Sequence, residues 1–116
     1  MESKYCVNAK DLDTHVFEQY DYTQLLTEKN GCLAGCRTGI LSYRQTEYIQ
    51  GGVHDDQEGF YVLEGYGSAK VGDEEFPISP GSCFIAPAGK YHYIRRAPEC
   101  PFVKLFFFHA ASDGSK

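Results

Sequence analysis

From residue 25 onward the apolar positions come in short runs broken by turn dipeptides, a pattern of hairpins rather than of helices. Asn30-Gly31 lies between the runs 25–29 and 32–41 and predicts a type I′ hairpin turn. Gly51-Gly52 ends the next run, 43–50. Phe60-Tyr61-Val62-Leu63 predicts a short strand that stops at Gly65. Gly72-Asp73, between 68–71 and 75–78, predicts a second hairpin. Pro80-Gly81 is a turn dipeptide, and Cys83–Ala86 reads as a strand closed by Pro87-Ala88-Gly89. Segments 91–95 and 102–109 are the last two strands, with 97–101 as the loop between them. The one helical candidate spans 11–26, with Asp11 or Asp13 as N-cap and Leu12, Val16, Tyr20 and Leu25 on one face. Val16, Phe17, Tyr20 and Tyr22 suit an extended segment as well.

Many short strands with a turn signal every 8–12 residues imply an all-β, antiparallel sandwich or barrel. The 116 residues allow one domain, and 42% hydrophobic residues allow a packed core without staples. No apolar run approaches the length needed to span a bilayer, so no membrane partner is expected. Met1-Glu2-Ser3-Lys4-Tyr5 has no apolar stretch of the signal-peptide kind, and the expectation is a cytoplasmic protein. The net charge is −5 with no block of Lys or Arg, which argues against nucleic acid as a partner. The five cysteines, Cys6, Cys32, Cys36, Cys83 and Cys100, are an odd set and are expected to be reduced. Cys32 and Cys36 could form a metal pair, but no second Cys/His pair stands at zinc-finger spacing. The simpler expectation is that the cysteines are small buried hydrophobes.

Three residues carry chemistry. His54 and Glu58 have three residues between them and precede a strand, and His92 follows the turn at 87–90. Two imidazoles and one carboxylate are the ligand set of a facial triad, which leaves positions open on the metal. They meet only if their strands enclose a common interior. Each also has a plainer reading. A lone buried histidine is ordinarily hydrogen-bonded, and Glu58 could form a salt bridge with Arg95 or Arg37. Asp55, Asp56 and Gln57 form an acidic turn that is expected to be solvated. In the last strand, period two puts His109 on the face of Val103, Leu105 and Phe107. If that face lines a barrel, His109 stands near the mouth as a general base or a spare ligand. Otherwise it is a surface residue near a frayed end, the favoured expectation. The second face of that strand is also apolar, which suggests a second subunit against it. His15 has no assigned role.

The spacing Gly81, five residues, Pro87, one residue, Gly89, two residues, His92 resembles the second signature motif of the cupin superfamily. Glu58, six residues, Gly65 resembles the end of the first motif, with His54 at the place of that motif's second histidine. The likeness covers roughly residues 35–110. Gly52 stands where the first motif histidine would fall, Thr46 where its leading glycine would fall, and Arg96 replaces the asparagine that often closes motif two.

The resemblance implies an antiparallel jelly-roll barrel over 35–110. An N-terminal segment, 1–34, would be available for dimer contacts, and a flexible tail would occupy 111–116. It implies a divalent metal (Fe, Mn, Ni or Zn) on His54, Glu58 and His92; Glu58 is then a candidate catalytic group, joined by His109 if the Val103 face of the last strand lines the barrel. It further implies a homodimer that holds a small, oxygen-rich molecule in the barrel. A small metal-dependent enzyme fits, either a dioxygenase or a sugar or sugar-acid isomerase or lyase. The alternative is a non-catalytic sensing or binding barrel.

Overall fold

A computed structural model describes residues 3–49 and 55–110. Among them nine strands run in chain order: β1 (Thr14–Val16), β2 (Tyr20–Gln24), β3 (Arg37–Tyr43), β4 (Gln57–Gly65), β5 (Gly67–Val71), β6 (Glu74–Ile78), β7 (Cys83–Ala86), β8 (His92–Arg96) and β9 (Val103–Ala110). Six form one sheet in the order β1-β2-β3-β9-β4-β7, and three form a second in the order β6-β5-β8. Every pairing is antiparallel. The fold is all-β, as the turn spacing implies.

The two sheets face each other over a core of Phe60, Val62, Leu105, Val103, Ala69, Ile78 and Ile94, each 2% exposed or less. Period two explains the choice of residues. Val103, Leu105 and Phe107 of β9 point inward, while Phe106 is half-buried and Phe108 exposed on the other face. Gly72-Asp73 joins β5 to β6 as expected, with Gly72 at φ +59°. Pro77 sits on β6, an edge strand, where a missing amide donor costs least.

The N-terminal third departs from the expectations. Residues 11–26 form no α-helix: Ala9–Asp11 makes a single 3₁₀ turn, and the hairpin β1–β2 joins the large sheet. The β-branched and aromatic residues there gain more by pairing with β3 than a short isolated helix could offer. Asn30-Gly31 does not turn a hairpin. It ends the 3₁₀ turn Glu28–Asn30, with a Thr27/Asn30 capping box and Gly31 in the left-handed conformation at φ +107°. The local signal for a positive φ is used, but for a cap. The expected run 43–50 forms no strand beyond Tyr43 among the described residues. The cysteines are not uniformly buried: Cys100 is, whereas Cys6, Cys36 and Cys83 are exposed. Gly51-Gly52, His54 and the tail 111–116 lie outside the described residues.

Candidate metal centre

The polar end of the barrel is made by the same alternation that makes its core. Along β4, Glu58, Phe60 and Val62 face inward, with exposures of 6%, 0% and 1%. Along β9, His109 continues the inward row of Val103, Leu105 and Phe107, and it sits opposite Glu58 in the strand register. His92 arrives from the other sheet, on the inward face of β8 with Ile94. Glu58 therefore stands between two imidazoles. Its Oε1 is 3.3 Å from His92 Nε2, and its Oε2 is 3.4 Å from His109 Nε2. Phe60 packs against the His92 ring, and Phe107 meets the His109 ring edge-on, both at 5.6 Å between centroids. This aromatic layer separates the polar end from the aliphatic core and limits ring rotation.

Asp56 completes the cluster. Its Oδ2 lies 3.0 Å from His109 Nδ1, so it is not the freely solvated loop charge expected of the acidic turn. Extending the β4 alternation backward through Gln57 puts Asp56 on the Glu58 face, and that parity was the signal available in the sequence. His109 is likewise corrected from a surface residue to a buried one, 6% exposed. Glu58 takes neither of the arginine partners considered for it. Arg95 lies at 3.5 Å from Glu75, donates to Ser68 and stacks on Tyr48, and Arg37 is an exposed residue lining the cavity.

Above these groups opens a cavity of about 400 Å³, walled by Tyr20, Tyr22, Tyr43 and Tyr93, with Gln24 and Arg37 among its polar groups. Burial pushes the phenols of Tyr22 and Tyr43 above the ordinary tyrosine value. At Tyr22 the nearby Arg37 guanidinium counters part of that rise. Tyr22 donates to Gln24 Oε1, and the Gln24 amide donates to the carbonyls of Leu26 and Thr38, which fixes this wall to the β2–β3 connection. The cavity thus offers hydroxyl donors, one cation and one carboxylate–imidazole cluster to a small polar molecule.

The donor set suits a metal ion. Two ligands each about 2.1 Å from one ion stand roughly 3.0 Å apart at a right angle and about 3.4 Å apart at a tetrahedral angle. Both Glu58–imidazole spacings fall in that range. Among the described residues no group of three or more His, Cys, Asp and Glu side chains is assembled as a ready cage. His54, the remaining ligand candidate, lies outside them.

By sequence, residues 45–107, more than half of the chain, match the family model described as Cupin domain. A search of curated proteins returned no significant match. Among solved structures, a predicted oxalate decarboxylase from Thermotoga maritima superposes with a TM-score of 0.78 at 14% identity, covering 91% of this chain and 98% of that one. Ectoine synthase from P. lautus gives 0.76 at 19% identity, covering 90% of this chain and 75% of that one. The hydroxypropylphosphonic acid epoxidase of S. wedmorenis gives 0.75 at 18% identity, covering 90% and 58%. At these identities the likeness is one of fold.

Proposed function

Because the chain belongs to the cupin domain family, we propose that it is a small metal-dependent enzyme that binds a divalent ion at the polar end of its barrel and holds an oxygen-rich substrate beside it. The observation that carries this reading is the approach of Glu58 and His92 from opposite sheets, to 3.3 Å, at the base of a cavity. Both side chains are buried, and a buried carboxylate is retained in proteins when it is paired or holds a cation. His54, at the family position beside Glu58, is proposed as a further ligand. The metal would be Fe, Mn, Ni or Zn, and when bound it would supply Lewis-acid polarisation of a substrate oxygen. The chain's own groups would do the rest. Tyr43, kept protonated by burial, would donate a hydrogen bond to a substrate oxygen. Arg37 would hold a negative group, and the Phe60–Phe107 layer would exclude water from below. Dioxygenation and isomerisation or elimination of a sugar acid are the reaction classes that fit such a site.

The outer face of the large sheet supports the homodimer expected from the sequence. Tyr61, Leu63, Ile85 and Phe108 are each between 38% and 46% exposed, and Tyr61 pairs with both Phe106 and Cys83 in register, so the patch is continuous across β7, β4 and β9. Light scattering of the purified chain checks this: a dimer is expected, which Tyr61→Lys should dissociate.

Metal binding tests the main reading. An ion that binds only the folded chain stabilises it by about 2.7 kcal/mol at a hundredfold excess over Kd. A rise in melting temperature with one or more of Mn, Fe, Co, Ni, Cu and Zn is expected, and no shift with any of them would remove the metal from the proposal. With the metal in place, turnover of candidate acids that is lost in Glu58→Gln supports the enzyme, whereas ligand binding without turnover supports a sensing barrel.

A further inference from the structure

We propose that His109 is itself a metal ligand, supplying from the last strand the imidazole that the first motif lacks at Gly52, with Asp56 as the group that orients it. The proposal rests on the metal-site reading above and adds a ligand from outside both signature motifs. Four observations support it. His109 lies opposite Glu58 in the β4–β9 register, so the two side chains leave neighbouring strands on the same face. It is 6% exposed and lines the cavity. Its Nδ1 stands 3.0 Å from Asp56 Oδ2. Its Nε2 stands 3.4 Å from Glu58 Oε2.

The two contacts assign roles to the two ring nitrogens. A carboxylate only accepts, so a neutral ring in this contact donates its Nδ1–H to Asp56 and keeps its lone pair on Nε2, the tautomer a metal ligand needs. That lone pair faces the Glu58 carboxylate, whose other oxygen faces His92 Nε2 at 3.3 Å. A cation seated between them, a proton or a metal ion, turns that contact into an attraction. A carboxylate bonded to the far nitrogen of an imidazole is also the usual outer partner of a metal-bound histidine, because it fixes the tautomer and raises the basicity of the ligating nitrogen. The terminal torsion of a glutamate is broad, and the Glu58 carboxylate already stands within 3.3 Å of one Nε2 and 3.4 Å of the other, so it can turn to share an ion with both rings. His109 of β9 thus joins Glu58 of β4 and His92 of β8 as a ligand in the site proposed above, with Asp56 behind it.

Cobalt(II) is the probe, because its visible spectrum reports ligand number and type independently of any turnover. The wild type, His109→Ala, His109→Gln, Asp56→Asn, His92→Ala and Glu58→Gln are titrated, with circular dichroism as the check on folding. The expected result is that both His109 variants lose cobalt affinity as severely as His92→Ala and change the spectrum. Asp56→Asn should weaken binding by about 10- to 100-fold, the loss expected of an outer partner. Unchanged affinity and spectrum in folded His109 variants, with binding lost in Glu58→Gln and His92→Ala, would overturn this proposal and leave the metal site standing. No cobalt uptake by the wild type would overturn both. Should the His109 variants fail to fold, Asp56→Asn decides: Asp56 is 25% exposed, and unchanged affinity there counts against the proposal.

Discussion

The two ends of this barrel are built on the same strands and differ in a few inward side chains. Toward one end, β4 and β9 present Val62, Leu105 and Val103, all at 1% exposure or less. Toward the other, the same inward rows present Glu58 and His109, and β8 moves from Ile94 to His92. The backbone is indifferent to this exchange: register and pairing run unbroken from Gln57 to Val62 opposite β9. The aliphatic end stabilises the fold by removing apolar surface from water, and the polar end draws on that stability to keep a carboxylate and two imidazoles out of water. Mutations at the two ends should therefore separate folding from ligand binding.

The largest effect on stability is expected from Leu105→Ala at the aliphatic end. A fully buried leucine truncated to alanine costs about 2–5 kcal/mol, depending on how far the site collapses. Chemical denaturation measures it, and the fraction that stays folded should still take up metal. A loss of metal affinity in folded Leu105→Ala would show that the two ends are coupled.

Glu58→Gln should do the reverse. The amide keeps the shape and can still hydrogen-bond the two imidazoles, so apo-protein stability should fall by less than the about 3–5 kcal/mol that losing one partner of a buried pair costs, and the fold should persist. Metal binding should be lost. A collapse of the fold on this substitution would mean that Glu58 is a structural ion-pair centre.

A smaller, pH-limited effect is expected at the cavity wall. Burial raises the Tyr43 phenol above its ordinary value of 10.0. The unfolded chain therefore loses that proton first. The associated stability is complete below about pH 10 and is lost as the pH climbs from there toward the folded value. Denaturant curves at pH 8 and pH 11 should show a larger alkaline loss in the wild type than in Tyr43→Phe. Tyr22, raised for the same reason, accounts for part of what remains. Equal losses in both proteins would indicate that Tyr43 is open to water.

The smallest effect belongs to a site remote from both ends. Arg44 pairs with Asp21 and donates to the carbonyls of Phe17 and Glu18, tying the β1–β2 turn to the end of β3. Both side chains of the pair are about one-third exposed. Arg44→Ala should cost about 1 kcal/mol or less.

The strands from Gln57 to Ala110 were legible in the sequence because their signals are local: alternation, Gly72-Asp73, Pro80-Gly81 and the turn after Ala86. The N-terminal third was not. Tyr20, Tyr22 and Thr23 become a strand only because β3 is there to pair with, and Asn30-Gly31 marks a positive φ without saying whether a hairpin or a cap uses it. Glu58 and His92 were legible as candidates from their motif spacing, while their meeting across two sheets is a property of the closed barrel. His109 was placed on the correct face of its strand, but period two cannot tell which face is inward. Asp56 is not legible in this way, because composition alone makes an acidic run look like surface.

Elemental analysis of the purified protein, beside His92→Ala and Glu58→Gln, tests the central claim most directly. The account predicts close to one divalent ion per chain in the wild type, lost in both variants while their circular dichroism stays native. A wild type that holds no metal after reloading, or variants that hold as much as the wild type, would contradict it.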